Sequence, residues 1–301
     1  MGNRRLTSVG GVIVSALVCL GPARALATDQ TLGGALPHRT DFLTNPECQG
    51  FGGTTFYTRA PAAVRQKCRE GLKRRGYTHM YTSVASERVG DSYYENPAAY
   101  RALLQELVDD GIKPVVWLTS DNGPWKDRSP SSIKADLTRF IPQVDDLVSS
   151  YVLGLEIGEY WTRAEADQIG HHLETLTAKP IAAHQNSGKW DYCRAAWCDY
   201  MILQYWVRTE AGVRDETRRA IQDLGKPVVA GEYNLEGPER VSHRLASAAV
   251  SAGAAGFGNG GTGPAGSPSP GASGVIVDSA RALYRWLLFP RLQQERPTAA
   301  P

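Results

Sequence analysis

Three segments of the chain share one form: GIKPVVWLTSD (111–121), TAKPIAAHQNS (177–187) and LGKPVVAGEYN (224–234) each set Lys-Pro directly before a short apolar run. Proline is tolerated at the first residue of a strand, where its missing N–H costs no ladder hydrogen bond, so each run reads as a buried strand. Amphipathic stretches of helical period separate these runs, and strand-helix alternation dictates a parallel sheet with helical crossovers. Extended along the chain, the pattern predicts strands near 51–57, 77–83, 113–119, 151–158, 180–185, 199–205, 226–232 and 254–258, with TLGGALPHRTDF (31–42) as another source of the first. Helices are predicted over 61–75, 97–110, 130–149, 163–178, 209–223, 238–252 and 275–288, while the link GKWDYCRAAWC (188–198) is short and cysteine-bearing. Eight such units make an α/β fold, a single (β/α)8 TIM barrel.

The chain opens MGNRRLTSVGGVIVSALVCLGPARALATDQ, with Arg4 and Arg5 ahead of an apolar run and Ala25-Leu26-Ala27 behind it. That is the pattern of a cleaved secretory leader. The run falls short of the ~20 residues a membrane-spanning helix needs, so no stable membrane insertion is expected. The organisation expected is a leader over 1–27, one barrel domain over 28–290 and a disordered tail over 291–301, with the low-complexity stretch 258–274 as a loop after the eighth strand.

The 33 lysines and arginines lose three with the leader and then nearly balance 31 acidic residues. A near-neutral chain offers nothing electrostatic to nucleic acid, and a monomer is expected. Of five cysteines Cys19 leaves with the leader, and the remaining even number suits an oxidising compartment. The expected pairs are Cys48 with Cys68 and Cys193 with Cys198, each stapling one loop. A zinc site would need C-x-x-C spacing or a neighbouring His-x3-His, and neither is present, so no metal is expected.

Barrel chemistry sits at the carboxyl ends of strands, which directs attention to IGEYW (157–161) and AGEYN (230–234). Glu159 ends the fourth predicted strand and Glu232 the seventh. Two carboxyl groups held across one cleft are what glycosidic bond cleavage requires, one to protonate the leaving oxygen and one to act as nucleophile or base. Glu156 in GLEIGEY is a third candidate; residues three apart on a strand point to opposite faces, and Glu159 is nearer the predicted strand end.

On these residues the sequence resembles the (β/α)8 glycoside hydrolases of the clan that carries its acid/base glutamate after strand four and its nucleophile glutamate after strand seven. KPVVAGEYN resembles the strand-seven signature and YVLGLEIGEYW the strand-four signature. The resemblance implies a retaining enzyme with Glu232 as nucleophile, Glu159 as acid/base, and Tyr205 in MILQYW touching the nucleophile. Two positions depart from the family pattern. Gly158 stands where the family has an asparagine that binds the 2-hydroxyl, and GFGNGG stands where it has a strand-eight tryptophan.

Aromatic rings stack on sugar C–H faces. Trp117, Trp125, Trp161, Trp190 and Trp206 all fall near predicted strand ends; Trp117 is expected to be buried, and Trp125 and Trp190, in polar loops, to be stacking platforms. His184 and Asn186 after strand five, Asp121 and Asn122 after strand three, and Tyr233 beside Glu232 are further expected substrate contacts. His79 is expected to be an interior histidine, and His171 and His172 to be solvated on a helix. There is no G-x-S-x-G elbow, Walker loop, H-E-x-x-H or dinucleotide fingerprint, so no cofactor is expected. The expectation is a secreted enzyme acting on a polysaccharide or oligosaccharide; the other class is a catalytically inactive barrel that binds carbohydrate or serves a structural role.

Overall fold

A computed structural model of the protein describes residues 39–41, 60–74, 78–84, 92–119, 127–186, 188–207, 209–233 and 239–258, with Thr58 and Trp125. The expected leader, Cys48, Asp121, Asn122, the loop beyond 258, the helix at 275–288 and the tail lie outside the described residues. Eight parallel strands close in chain order, the first pairing with both the second and the eighth. They are β1 (Arg39–Asp41), β2 (His79–Ser83), β3 (Lys113–Trp117), β4 (Ser150–Val152), β5 (Ile181–Asn186), β6 (Tyr200–Tyr205), β7 (Val228–Tyr233) and β8 (Gly256–Gly258). The closing strand β1 thus comes from the segment 31–42 rather than from 51–57, which lies outside the described residues.

The α-helices among the described residues are α1 (Ala62–Arg74), α2 (Pro97–Asp109), α3 (Pro130–Val144), α4 (Arg163–Leu176), α5 (Glu210–Leu224) and α6 (Glu239–Ser251). Their starts are written in the sequence: Asn96, Ser129, Thr162 and Thr209 each accept a first-turn N–H, and Thr162 forms a capping box with Glu165. Gly225 ends α5 at φ 61°, a conformation glycine adopts without steric cost. No helix among the described residues is long and apolar enough to cross a membrane.

Strand alternation divides the core in two. Tyr81, Val115, Trp117, Val152, Ala182, Tyr200, Ile202 and Val229 fill the barrel interior, while the residues between them pack outward against the helices. The Lys-Pro junctions lie at the amino ends of their strands: the carbonyls of Pro114, Pro180 and Pro227 accept from the N–H groups of Ser149, Tyr151 and Met201, each at 2.9 Å. Lys226 adds a clamp, its Nζ donating to the carbonyls of Cys193, Ala195 and Cys198 at 2.8, 2.7 and 2.8 Å. Burial holds its pKa below the usual lysine value, against the opposing pull of Asp199.

The carbonyls Lys226 holds belong to the link between β5 and β6, which has one 3-10 turn (Asp191–Arg194) in place of a crossover helix. Cys193 and Cys198 are disulfide-bonded there, as expected. Cys68 is also in a disulfide, and its expected partner Cys48 lies outside the described residues. Trp197 takes the missing helix's room and packs on α4 over Gly170, where a Cβ would come within 2.3 Å of the indole.

The feature that sets up the site is a bulge between β6 and β7. Leu203 pairs with Ala230, but Gln204 pairs with Glu232, so Gly231 is an extra residue on β7. Without it Glu232 would stand opposite Tyr205, on the helix side of the sheet. A Cβ on Gly231 would meet the Ile202 Cγ2 at 2.3 Å, so the bulge requires glycine there. Gly231→Ala is expected to cost about 1–3 kcal/mol through overpacking. In the background of Ile202→Ala, which removes the obstructing methyl, it should cost much less; equal melting-temperature losses in both backgrounds would place the strain elsewhere.

Candidate functional site

The carboxyl-terminal rim of the barrel collects most of the residues singled out in the sequence, in positions that differ in detail from expectation. Strand β4 ends at Val152, not 158, and the chain then turns. Thr119 fixes that turn: its Oγ1 donates to the Leu153 carbonyl at 2.9 Å and meets the Tyr160 hydroxyl at 3.2 Å, and its carbonyl accepts from the Leu155 N–H at 3.1 Å. Gly154 lies against this knot, where a Cβ would fall 2.1 Å from Thr119 Oγ1.

Next comes Glu156, whose φ of 45° and ψ of 44° make it the one non-glycine residue in the left-handed region among those described. Such a conformation costs of order 1–3 kcal/mol and persists where surroundings enforce it. Its N–H donates to His184 Nδ1 at 3.0 Å, which secures the turn to the end of β5. Glu159 therefore lies at the end of a 3-10 turn (Ile157–Glu159), exposed, with its N–H on the Glu156 carbonyl at 2.8 Å. Because the chain has left the strand, alternation of faces does not decide between the two glutamates.

His184 is fully buried, edge-on to Trp117 at 5.0 Å. With Nδ1 accepting, the neutral ring carries its proton on Nε2. Burial depresses its pKa to about 3. Gln185 faces the other way and pins the β5–β6 link, its Oε1 accepting from the Tyr192 N–H at 3.1 Å and its Nε2 donating to Asp191 at 3.2 Å. Asn186 follows at the strand end, in register with Gln204. Glu232 and Tyr233 end β7 in register with Gln204 and Tyr205.

The aromatic expectations divide. Trp206, directly after β6, is 55 % exposed and, with Val108, is one of two exposed large hydrophobic residues among those described. Trp117 is interior, as expected. Trp125 and Trp190 are corrected: both are buried. Trp125 packs against Tyr94 at 5.6 Å with the Arg128 guanidinium over its face at 4.8 Å, and Trp190 donates to Asp223 at 3.2 Å. Polar sequence neighbours thus did not mean exposed rings. Trp161 is buried as well, its ring edge-to-face with Tyr160 at 4.9 Å.

Tyr205 is also corrected. Alternation along β6, with Tyr200 and Ile202 interior, puts it on the outer face, where its hydroxyl bonds Thr217 of α5 at 2.7 Å instead of reaching the barrel mouth. His79 lies at the opposite, amino-terminal end of the barrel, on Thr78 at 2.7 Å, and His172 bonds Thr138 of α3 at 2.8 Å. Sequence reasoning passed over Gln204. Its signal was parity, since Tyr200, Ile202 and Gln204 alternate along β6 and a polar third member at the carboxyl end is out of place in a packed interior. Among the described residues, no group of three or more His, Cys, Asp or Glu is arranged to hold a metal.

No protein-family model matches the sequence, and no curated protein matches it. Solved structures do. A glycoside hydrolase candidate from Bacteroides vulgatus ATCC 8482 superposes with a TM-score of 0.56 at 10 % identity, over 74 % of this chain and 50 % of its own. The GH5_18 protein of Bifidobacterium longum subsp. longum ATCC 55813 gives 0.55 at 12 %, over 75 % and 69 %, and a GH113 beta-1,4-mannanase 0.53 at 9 %, over 75 % and 87 %. The shared feature is the TIM barrel. The chain spans about half the length of the first of these, so the likeness concerns its barrel alone.

The buried His184 makes a pH-linked prediction. Its folded pKa of about 3 lies below the ordinary 6.5, so the unfolded chain takes up a proton between those values that the native ring refuses. Stability is therefore full above pH 6.5 and is lost as pH falls toward 3, by at most about 1.4 kcal/mol per pH unit from this group. His184→Asn keeps an acceptor for the Glu156 N–H and removes the titration, so its melting temperature should fall less steeply between pH 7 and 4.5. Parallel profiles would mean that His184 titrates like an exposed histidine.

Proposed function

We propose that this chain is a secreted glycoside hydrolase that cleaves a polysaccharide or oligosaccharide with retention of configuration, Glu232 acting as nucleophile and Glu159 as general acid and then base. The observation that carries this reading is the placement of the two residues: one follows β4 and the other ends β7, both on the carboxyl-terminal rim, with the β7 bulge setting Glu232 in register with an interior residue. Glu232 attacks the anomeric carbon as Glu159 protonates the departing oxygen. Glu159, now ionised, then takes a proton from the water that displaces the enzyme carboxylate. Trp206 offers an exposed indole beside this rim for a sugar ring to stack on, and residues 184 and 186 belong to the carboxyl end of the adjacent strand. The leader pattern and the Cys193–Cys198 disulfide support export to an oxidising compartment.

A second assignment keeps the reaction and replaces Glu159 by Glu156. Its left-handed backbone, tied to His184, favours it, since strain of this kind gathers at working sites.

The deciding experiment measures reducing-end release by the mature protein from xylan, mannan, β-glucan, chitin and peptidoglycan, beside Glu232→Gln, Glu159→Gln and Glu156→Gln. Glu232→Gln should be inactive, and Glu159→Gln should lose about 10²–10⁴-fold in kcat with an unchanged melting temperature. Loss confined to Glu232→Gln and Glu156→Gln would move the acid to Glu156. A wild type that binds a glycan yet cleaves none would make the barrel a carbohydrate-binding protein.

A further inference from the structure

Gln204 is a buried polar residue of the barrel mouth whose chemistry the reading above leaves unaccounted for. It stands one interior layer above Ile202 at the carboxyl end of β6, on the face shared with Tyr200 and Ile202. The side chain is 5 % exposed, and its Oε1 has no hydrogen-bond partner among the described residues. A buried amide oxygen without a donor is destabilising, and natural interiors rarely keep one without a use. Its position indicates the use. Gln204 is in register with Asn186 on one side and Glu232 on the other, so three polar residues occupy one level of neighbouring strands. The bulge at Gly231 is what brings Glu232 to that level. Neighbouring polar side chains are engaged elsewhere, Gln185 with the β5–β6 link and Tyr205 with Thr217.

We infer that Gln204 is a substrate-binding residue whose Oε1 accepts a hydrogen bond from a hydroxyl of the sugar unit bound at Glu232. A hydroxyl suits the position: it supplies the missing donor and brings no charge into a buried site, as an ammonium would. The inference rests on the glycosidase reading above. It adds a contact that fixes the reacting sugar from β6, next to the nucleophile, and it makes Gln204 a determinant of which sugar is accepted. A site built to bond one hydroxyl discriminates strongly against a sugar lacking it.

The test uses Gln204→Met, which preserves length and volume, and Gln204→Leu as a second apolar variant. The substrates are the panel glycan that the wild type cleaves and its monodeoxy oligosaccharides. Either variant should keep or raise the melting temperature, because the unpartnered oxygen is gone, while kcat/KM falls on the order of 10²-fold. Against the oligosaccharide lacking the contacted hydroxyl, the wild type should already be slow, and the variants should lose nothing further. Wild-type kcat/KM in both variants overturns the inference and leaves the glycosidase reading intact. So does a lowered melting temperature with equal losses on every deoxy substrate, which would make Gln204 a structural residue. Inactivity of the wild type itself on all panel glycans overturns the glycosidase reading and the inference with it.

Discussion

The 2.3 Å that would separate a Cβ at residue 231 from the Ile202 methyl is the constraint on which the barrel mouth depends. A closed parallel barrel fills its own interior with side chains, and Ile202 belongs to the upper part of that filling. β7 passes it because residue 231 has no side chain, and one extra residue is taken up there. Every β7 residue beyond is displaced by one position, so Glu232 stands level with Gln204 rather than with Tyr205. A single packing contact thus decides which of two adjacent residues meets the barrel axis level.

The opposite side of the rim is fixed by hydrogen bonds rather than by packing. Thr119 ties the chain beyond β4 to β3, and His184 ties Glu156 to β5, so the turn carrying Glu156 and Glu159 hangs from the strands on both sides. These groups are buried, where hydrogen bonds are stronger than in water and a misplaced one is costlier. A neutral His184 serves this better than a charged one, since an imidazolium Nδ1 could not accept the Glu156 N–H.

Much of this was legible in the sequence. The six described helices and seven of the strands lie where periodicity places them, because each buried face repeats many times and local errors cancel. Strand β4 was overextended since GLEIGEY is apolar enough to continue a strand, and only the three-dimensional knot at Thr119 shows why it turns. Trp125 and Trp190 were misplaced for a related reason: Asn, Gly, Lys and Asp around a tryptophan describe a polar loop, yet the ring itself is drawn into the nearest apolar gap. The resemblance implies Tyr205 at the mouth, whereas alternation along β6 from Tyr200 and Ile202 puts it on the helix side. Gln204 is legible by parity, as the polar third member of the alternating set Tyr200, Ile202 and Gln204.

The Lys-Pro junctions have an effect that no contact in the folded barrel records. Pro114, Pro180 and Pro227 occupy positions whose native backbone suits a fixed φ and where no N–H is required. A proline so placed removes conformations from the unfolded chain, an effect of about 0.4–1 kcal/mol per site in other proteins. The repeat that most narrows the choice of fold therefore acts twice, once by starting strands and once by impoverishing the ensemble from which those strands must form.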